Sequence, residues 1–206
     1  MLKLLDPVKD AKEIAKLDEA KKTLQNMPRF ITPLLVPLES NLQLADLINP
    51  KANVLFDLDG SGQLKQWAWP TPKAAWLVYD SEGTGKITSG LQLFGNVTFW
   101  IFWQNGYDAL SSLDDNGDGI LSGDELRGLA LWQDSNGNGI SDPGEVRPVK
   151  DFGITEISCR SRGESAGNPW NAQGVKFKDG SVRPTYDWIV PGKTSTVGYA
   201  DNTDKK

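Results

Sequence analysis

Two twelve-residue stretches, 114–125 (DDNGDGILSGDE) and 134–145 (DSNGNGISDPGE), constrain this chain more than any other feature. Each places short oxygen-bearing side chains at its first, third and fifth positions, glycine at the sixth and glutamate at the twelfth. A loop needs that order to wrap Ca²⁺, a hard cation that takes about six to eight oxygen ligands. In the first stretch Asp114, Asp118 and Glu125 supply carboxylates, Asn116 an amide oxygen and Ile120 its backbone carbonyl. The second repeats the plan with Asp134, Asn136, Asn138, the Ile140 carbonyl and Glu145. Ordinary Asp/Asn/Gly turns account for the composition, but not for a glutamate in the twelfth place twice. In the second loop Ser141 fills the eighth position, where an apolar residue packs between paired loops, and Ile140 is expected to share that role.

Composition narrows the classes. The 206 residues suffice for a real core, as one domain or a domain with appendages. Acidic residues number 27 against 22 basic, for a net charge of −5, and no basic stripe suggests a nucleic-acid partner. No apolar run is long enough to span a membrane as a helix, and the opening MLKLLDPVKD lacks the apolar stretch of a secretory signal. Cys159 is the one cysteine, so no internal disulfide forms, and it reads as a small buried hydrophobe. Histidine is absent, which excludes imidazole metal ligands and His-dependent triads within this chain.

Along the chain, Asp6-Pro7 reads as a helix start. Val8, Ile14, Leu17 and Leu24 then recur at near-helical spacing up to Pro28. Residues 29–56 are apolar and punctuated by proline, as short strands or extended segments are. Asp57-Leu58-Asp59-Gly60-Ser61-Gly62 is echoed by Asp80-Ser81-Glu82-Gly83-Thr84-Gly85, giving two further loops with partial ligand sets: Asp57, Asp59 and Ser61, then Asp80, Glu82 and Thr84. Each pair of loops reads as loop, helix, loop. The helix of the second pair covers 124–133, with Leu126, Leu129 and Trp132 as its stripe. Residues 97–113 lead helically into the Asp114 loop. Residues 154–159 alternate like a strand, and 174–177 with 183–190 suggest a hairpin turning at 178–181. The predicted fold is mainly α (α+β): calcium loops joined by short helices, with a small C-terminal β hairpin. Residues 1–28 form an amphipathic helix, 29–193 the calcium-binding module and 194–206 a disordered tail.

The order FDLDGSG, WLVYDSEGTG, LFG, NGYDALSSLDDNGDG, LALWQDSNGNGISDPGEV and GITEI resembles the EF-hand-like calcium modules of bacterial RTX-type proteins. It is most similar to the self-processing module of the iron-regulated RTX proteins, over about residues 53–158. The resemblance implies a secreted or cell-surface setting (extracellular, surface or periplasmic) and calcium as cofactor. This chain departs from the family's pattern where acidic residues usually precede the LVxD segment, since Lys73-Ala74 stand there. The ELFG box reads Gln92-Leu93-Phe94-Gly95. The Asp57 and Asp80 loops thereby lose closing carboxylates, and Lys73 is expected to supply positive charge instead.

The family cleaves an Asp-Pro bond just upstream of its module when calcium orders the domain. The implied nucleophile is the aspartate's own carboxylate. The corresponding junction here is Thr32-Pro33, which has none, while Asp6-Pro7 reads as a helix start and Asp142-Pro143 lies inside a loop. The expectation is a calcium-binding module without catalytic residues. Calcium-triggered self-processing is one alternative. Glycan binding is another, because Trp100 and Trp103 with Phe99 and Phe102 form a candidate stacking platform. Against it, Trp67, Trp69, Trp76 and Trp132 read as core.

Overall fold

The computed structural model describes residues 30–191, with Ala11 and residues 14–16. The N-terminal helix lies outside the described residues, apart from Ala11 and 14–16, which are helical; the C-terminal tail lies outside them altogether. The strands are β1 (Leu34–Pro37), β2 (Ile48–Phe56), β3 (Lys65–Pro70), β4 (Ala74–Tyr79), β5 (Ile120–Ser122), β6 (Leu129–Trp132), β7 (Val146–Pro148), β8 (Ile154–Ser158), β9 (Gly163–Ser165), β10 (Asn168–Phe177) and β11 (Val182–Asp187). Two short α-helices accompany them, α1 (Leu44–Leu47) and α2 (Gly106–Ser111).

Three apolar runs decide the architecture. All of β1 and β6, and β4 up to Val78, are buried. They lie side by side in an antiparallel sheet ordered β5-β8-β10-β11-β1-β4-β6-β7, with β9 on β10. Because side chains alternate across a strand, each run feeds two cores. Leu35, Trp76, Val78, Ala130 and Trp132 enter one. Leu34, Val36, Ala75, Leu77, Leu129 and Leu131 enter the other. The separate β2–β3 ribbon closes the first core with Phe56, Trp67 and Trp69. There Trp69 meets Trp76 and Trp132 edge-on at 5.5 and 5.7 Å between ring centroids.

This is a mainly β protein, which corrects the mainly α reading. Residues 124–133 are not a helix: a 3₁₀ turn (Gly123–Leu126) ends before Gly128, whose φ of 81° breaks the helix, and the chain then enters β6. Strands β3 and β4 replace the helix expected between the Asp57 and Asp80 loops. Of the helical lead-in to the Asp114 loop, α2 is present, capped by the Asn105 side chain, which accepts from Tyr107 and Asp108 N–H. The strand at 154–159 and the hairpin turning at 178–181 are found, with Phe177 N–H bonded to the Ser181 carbonyl. That hairpin is no small appendage, since β10 and β11 lie inside the large sheet. Trp67, Trp69, Trp76 and Trp132 are core residues, as is Cys159.

Leu131, buried between β4 and β7 on the second core, tests the two-sided burial of β6. Leu131→Ala is expected to destabilise the fold by about 2–5 kcal/mol in urea denaturation. A loss below about 0.5 kcal/mol, the range of neutral surface changes, would refute the register.

Candidate metal centre

All four acidic loops share one backbone plan. The glycines at their fourth and sixth places have positive φ: Gly60 and Gly62, Gly83 and Gly85, Gly117 and Gly119, Gly137 and Gly139. In each, the sixth-place N–H donates to the first-place aspartate, at 3.1 Å for Asp57, 2.8 Å for Asp80 and Asp114, and 2.7 Å for Asp134. The loops cap strands rather than join helices. The Asp57 loop is the tip of β2–β3, and the Asp134 loop the tip of β6–β7. The Asp114 loop passes from α2 into β5.

The Asp114 and Asp134 loops match in their side-chain bonding. Asn116 Oδ1 accepts from Asp118 N–H, and Asp118 Oδ1 from Ile120 N–H. Asn136 and Asn138 repeat this with the N–H groups of Asn138 and Ile140. The closing glutamates fold back alike. Glu125 accepts from Asp115 and Asn116 N–H with one oxygen and from Ser122 N–H with the other. Glu145 accepts from Ser135 N–H and from Asp142 N–H. The Asn136 and Asn138 amides both donate to Asp142, holding its carboxyl below the usual range. Among the described residues no lysine or arginine pairs with the first- or twelfth-place carboxylates of these loops.

The donor chemistry fits calcium: carboxylate, amide and carbonyl oxygens follow one another along each loop, bonded to the loop's own amides. Among the described residues no three Asp, Glu, His or Cys side chains form a metal-holding group. In these loops Asn amides and backbone carbonyls make up the remainder of the set, and the carboxylates are turned onto loop N–H groups.

The other two loops differ. Asp80 accepts from Thr84 and Gly85 N–H, and Thr84 Oγ1 from Lys86 N–H. Glu82 is exposed. Gln92 stands in for the closing glutamate: its oxygen accepts from Thr88 N–H, the ninth place, while its amide donates to the Lys86 carbonyl in the seventh. In the Asp57 loop Ser61 N–H donates to Asp59, and the charge beside Asp59 is Lys65; Lys73, the residue expected to supply it, is exposed. Ser89 Oγ donates to Asp57 Oδ2. Burial raises the Asp57 pKa above the ordinary carboxylate value, against the Ser89 and Gly62 bonds. Burial works against the Asp59 charge too, yet the Lys65 ammonium and Ser61 outweigh it and lower that pKa.

Contacts between loops were not legible in the sequence. Ile87 N–H, in the eighth place of the Asp80 loop, donates to Ser141 Oγ in the eighth place of the Asp134 loop. Ser141 is buried, whereas Ile140 is 59% exposed and does not take the packing role expected of it. In the Asp114 loop the eighth residue, Leu121, pairs with Ile157 of β8. Trp69 Nε1–H donates to Asp134 Oδ2 at 2.7 Å, inside the core. Beside the Asp114 loop, burial first and then the Asp114 charge push the Cys159 thiol up to about 12.

The two alternative sites take specific forms. Phe99 packs edge-on against Tyr79, and the Trp103 indole donates to the Thr98 carbonyl, so only Trp100 and Phe102 of the four platform aromatics stand exposed. At the Thr32-Pro33 junction Thr32 is buried, its N–H bonded to Asn96 Oδ1. Its hydroxyl lies by the Asp187 carboxyl, yet Thr32 Oγ1 and Asp187 Oδ2 both lack a well-formed hydrogen bond. Asp187 is fully buried and accepts from Gly106 N–H. Burial drives its pKa well above the carboxylate range, against the Gly106 bond and the nearby Thr32 hydroxyl.

The SPM domain model matches residues 42–190, most of the chain, and the chain belongs to that family. It is similar to the "Iron-regulated protein FrpA" of Neisseria meningitidis serogroup C, with 36% identity over 163 residues. That alignment covers 74% of this chain and 15% of the relative, so the chain corresponds to a small part of a much longer protein. Both findings agree with the RTX-associated resemblance in the motif order.

An acid whose pKa is raised by folding contributes stability that is fully present below its unfolded value, and this is lost as pH rises through the folded value. Asp187→Asn keeps the acceptor for Gly106 N–H and removes the titration. Its melting temperature is expected to gain on that of the wild type from about pH 4 upward. Parallel calorimetric curves from pH 4 to 8 would refute the buried neutral acid.

Proposed function

We propose that this chain is a calcium-binding module of an RTX-associated bacterial protein, and that its ions order and stabilise the strands its loops cap. The observation carrying this reading is the matched bonding of the Asp114 and Asp134 loops, whose first- and twelfth-place carboxylates have no lysine or arginine partner among the described residues. Asp114, Asn116, Asp118, the Ile120 carbonyl and Glu125 would hold one ion. Asp134, Asn136, Asn138, the Ile140 carbonyl and Glu145 would hold the other. A bound ion supplies charge neutralisation, and binding only the folded chain adds stability by mass action, about 2.7 kcal/mol per site at a hundred times Kd. Neutral ligands in the Asp134 loop point to weak affinity, suited to extracellular calcium. The resemblance likewise favours a secreted or surface setting. No described helix is long and apolar enough to cross a membrane.

Calorimetric titration of metal-stripped protein is expected to find about two calcium ions per chain. Glu125→Gln with Glu145→Gln is expected to abolish most of the binding and the calcium-induced rise in melting temperature. Unchanged stoichiometry in that double variant would overturn the reading.

The module acts without catalysis in this reading, because Thr32 offers a hydroxyl where the resemblance implies a carboxylate nucleophile. Mass spectrometry with and without calcium is expected to find the wild type intact. Thr32→Asp is expected to yield fragments divided between residues 32 and 33 when calcium is added. Calcium-triggered cleavage of the wild type would establish an enzyme instead.

A further inference from the structure

Among the described residues, the Asp57 loop is the one in which a lysine pairs with an aspartate at a ligand place. Lys65 occupies the loop's ninth place, the first residue of β3 opposite Phe56, and its ammonium lies 2.5 Å from Asp59 Oδ2. The Asp59 side chain is 4% exposed and that of Lys65 20%. The other carboxylate oxygens are taken: Ser61 N–H donates to Asp59 Oδ1, Gly62 N–H to Asp57 Oδ1 and Ser89 Oγ to Asp57 Oδ2. In the twelfth place, where a closing carboxylate belongs, stands the buried methyl of Ala68. The loop keeps the backbone of a cation cage without its ligand count, so it does not fit calcium as the Asp114 and Asp134 loops do.

We propose that Lys65 is the resident cation of the Asp57 loop, its ammonium standing in for a metal, so that this hairpin tip folds without calcium. The contrast with the other loops rests on the calcium reading given above. Two buried carboxylates in one turn are costly unless a positive charge answers them. An ammonium offers a compact charge with three donors. Being part of the chain, it is present at fixed local concentration whatever the calcium level. An exposed ion pair would contribute little, but Asp59 is buried and Lys65 largely so. The β2–β3 ribbon carries Trp67 and Trp69 into the first core, and the Lys65 clamp sets that ribbon before any ion arrives.

The test follows the Lys65 ammonium directly, by nitrogen-15 NMR tuned to lysine amines, through a calcium titration of the full chain. The Gly119 and Gly139 amides are read alongside. A slowly exchanging Lys65 signal is expected to hold its position to saturation while the two glycine amides shift. In chelator, Lys65→Gln is expected to melt about 5 °C or more below the wild type, with Lys65→Arg recovering part of the loss. The proposal is overturned if the Lys65 signal exchanges like that of an exposed lysine, if calcium displaces it, or if Lys65→Gln melts with the wild type in chelator. Should Lys65→Gln fail to fold, the wild-type ammonium signal decides. Glycine amides indifferent to calcium would sink the reading of the other loops and leave the Lys65 result standing on its own.

Discussion

The hydrogen bond from the Trp69 indole to Asp134 ties the acidic loops to the fold. Trp69 is 1% exposed and Asp134 4%, so the bond is made out of water; its loss would orphan the buried indole N–H, while Asp134 Oδ2 keeps the Gly139 N–H. Trp69 also meets Phe56, Trp76 and Trp132 edge-on, and Trp132 lies two residues before Asp134. The first-place aspartate of the Asp134 loop is therefore positioned by the aromatic core, and the Trp69 indole N–H is satisfied by that carboxylate. Neither can move without the other.

This coupling links the acidic loops to the edges of the β-sheet. The Asp134 loop joins β6 to edge strand β7, and the Asp114 loop delivers the chain into β5 at the opposite edge. Short edge strands of three residues have few ladder bonds of their own. A loop whose carboxylates repel one another would pull such a strand away, and neutralising that charge removes the strain where the sheet is weakest. Between these edges the sheet rests on apolar burial that needs no ion.

The local chemistry of the loops was readable because it depends on residue order within a dozen positions. Asx-type bonds and positive-φ glycines follow from the sequence alone. Strand identity was not, and β6 shows why. A Leu-Ala-Leu-Trp run buried on both faces has no two-residue alternation, and a continuous apolar run cannot be told from a helix face by periodicity. The neighbouring Leu126 completed a false helical stripe. The strand at 154–158 was legible from its β-branched run, although its buried residues, Ile154 and Ile157, lie three apart because the pairing with β10 shifts register between Lys176 and Phe177. Lys65 was passed over for Lys73 because hairpin register, not sequence distance from a missing acid, decides which ammonium reaches Asp59. The Ile87–Ser141 contact spans 54 residues and carries no local signal.

The same reasoning bears on the Thr32-Pro33 junction, which lies between the Ile31–Val190 bridge and β1 of the large sheet. Ile31 exchanges both backbone bonds with Val190, Leu34 pairs with Asp187, and Leu34 N–H donates to the Phe94 carbonyl. A second carboxyl at position 32 would share this closed space with Asp187. Two buried acids in contact cannot both ionise, so one would keep its proton while the other carried the charge. A nucleophilic carboxylate beside a neutral acid is the pairing that attack on a backbone carbonyl and protonation of a departing proline nitrogen both require. With threonine in that place Asp187, whose pKa burial raises well above the carboxylate range, has no second carboxyl beside it.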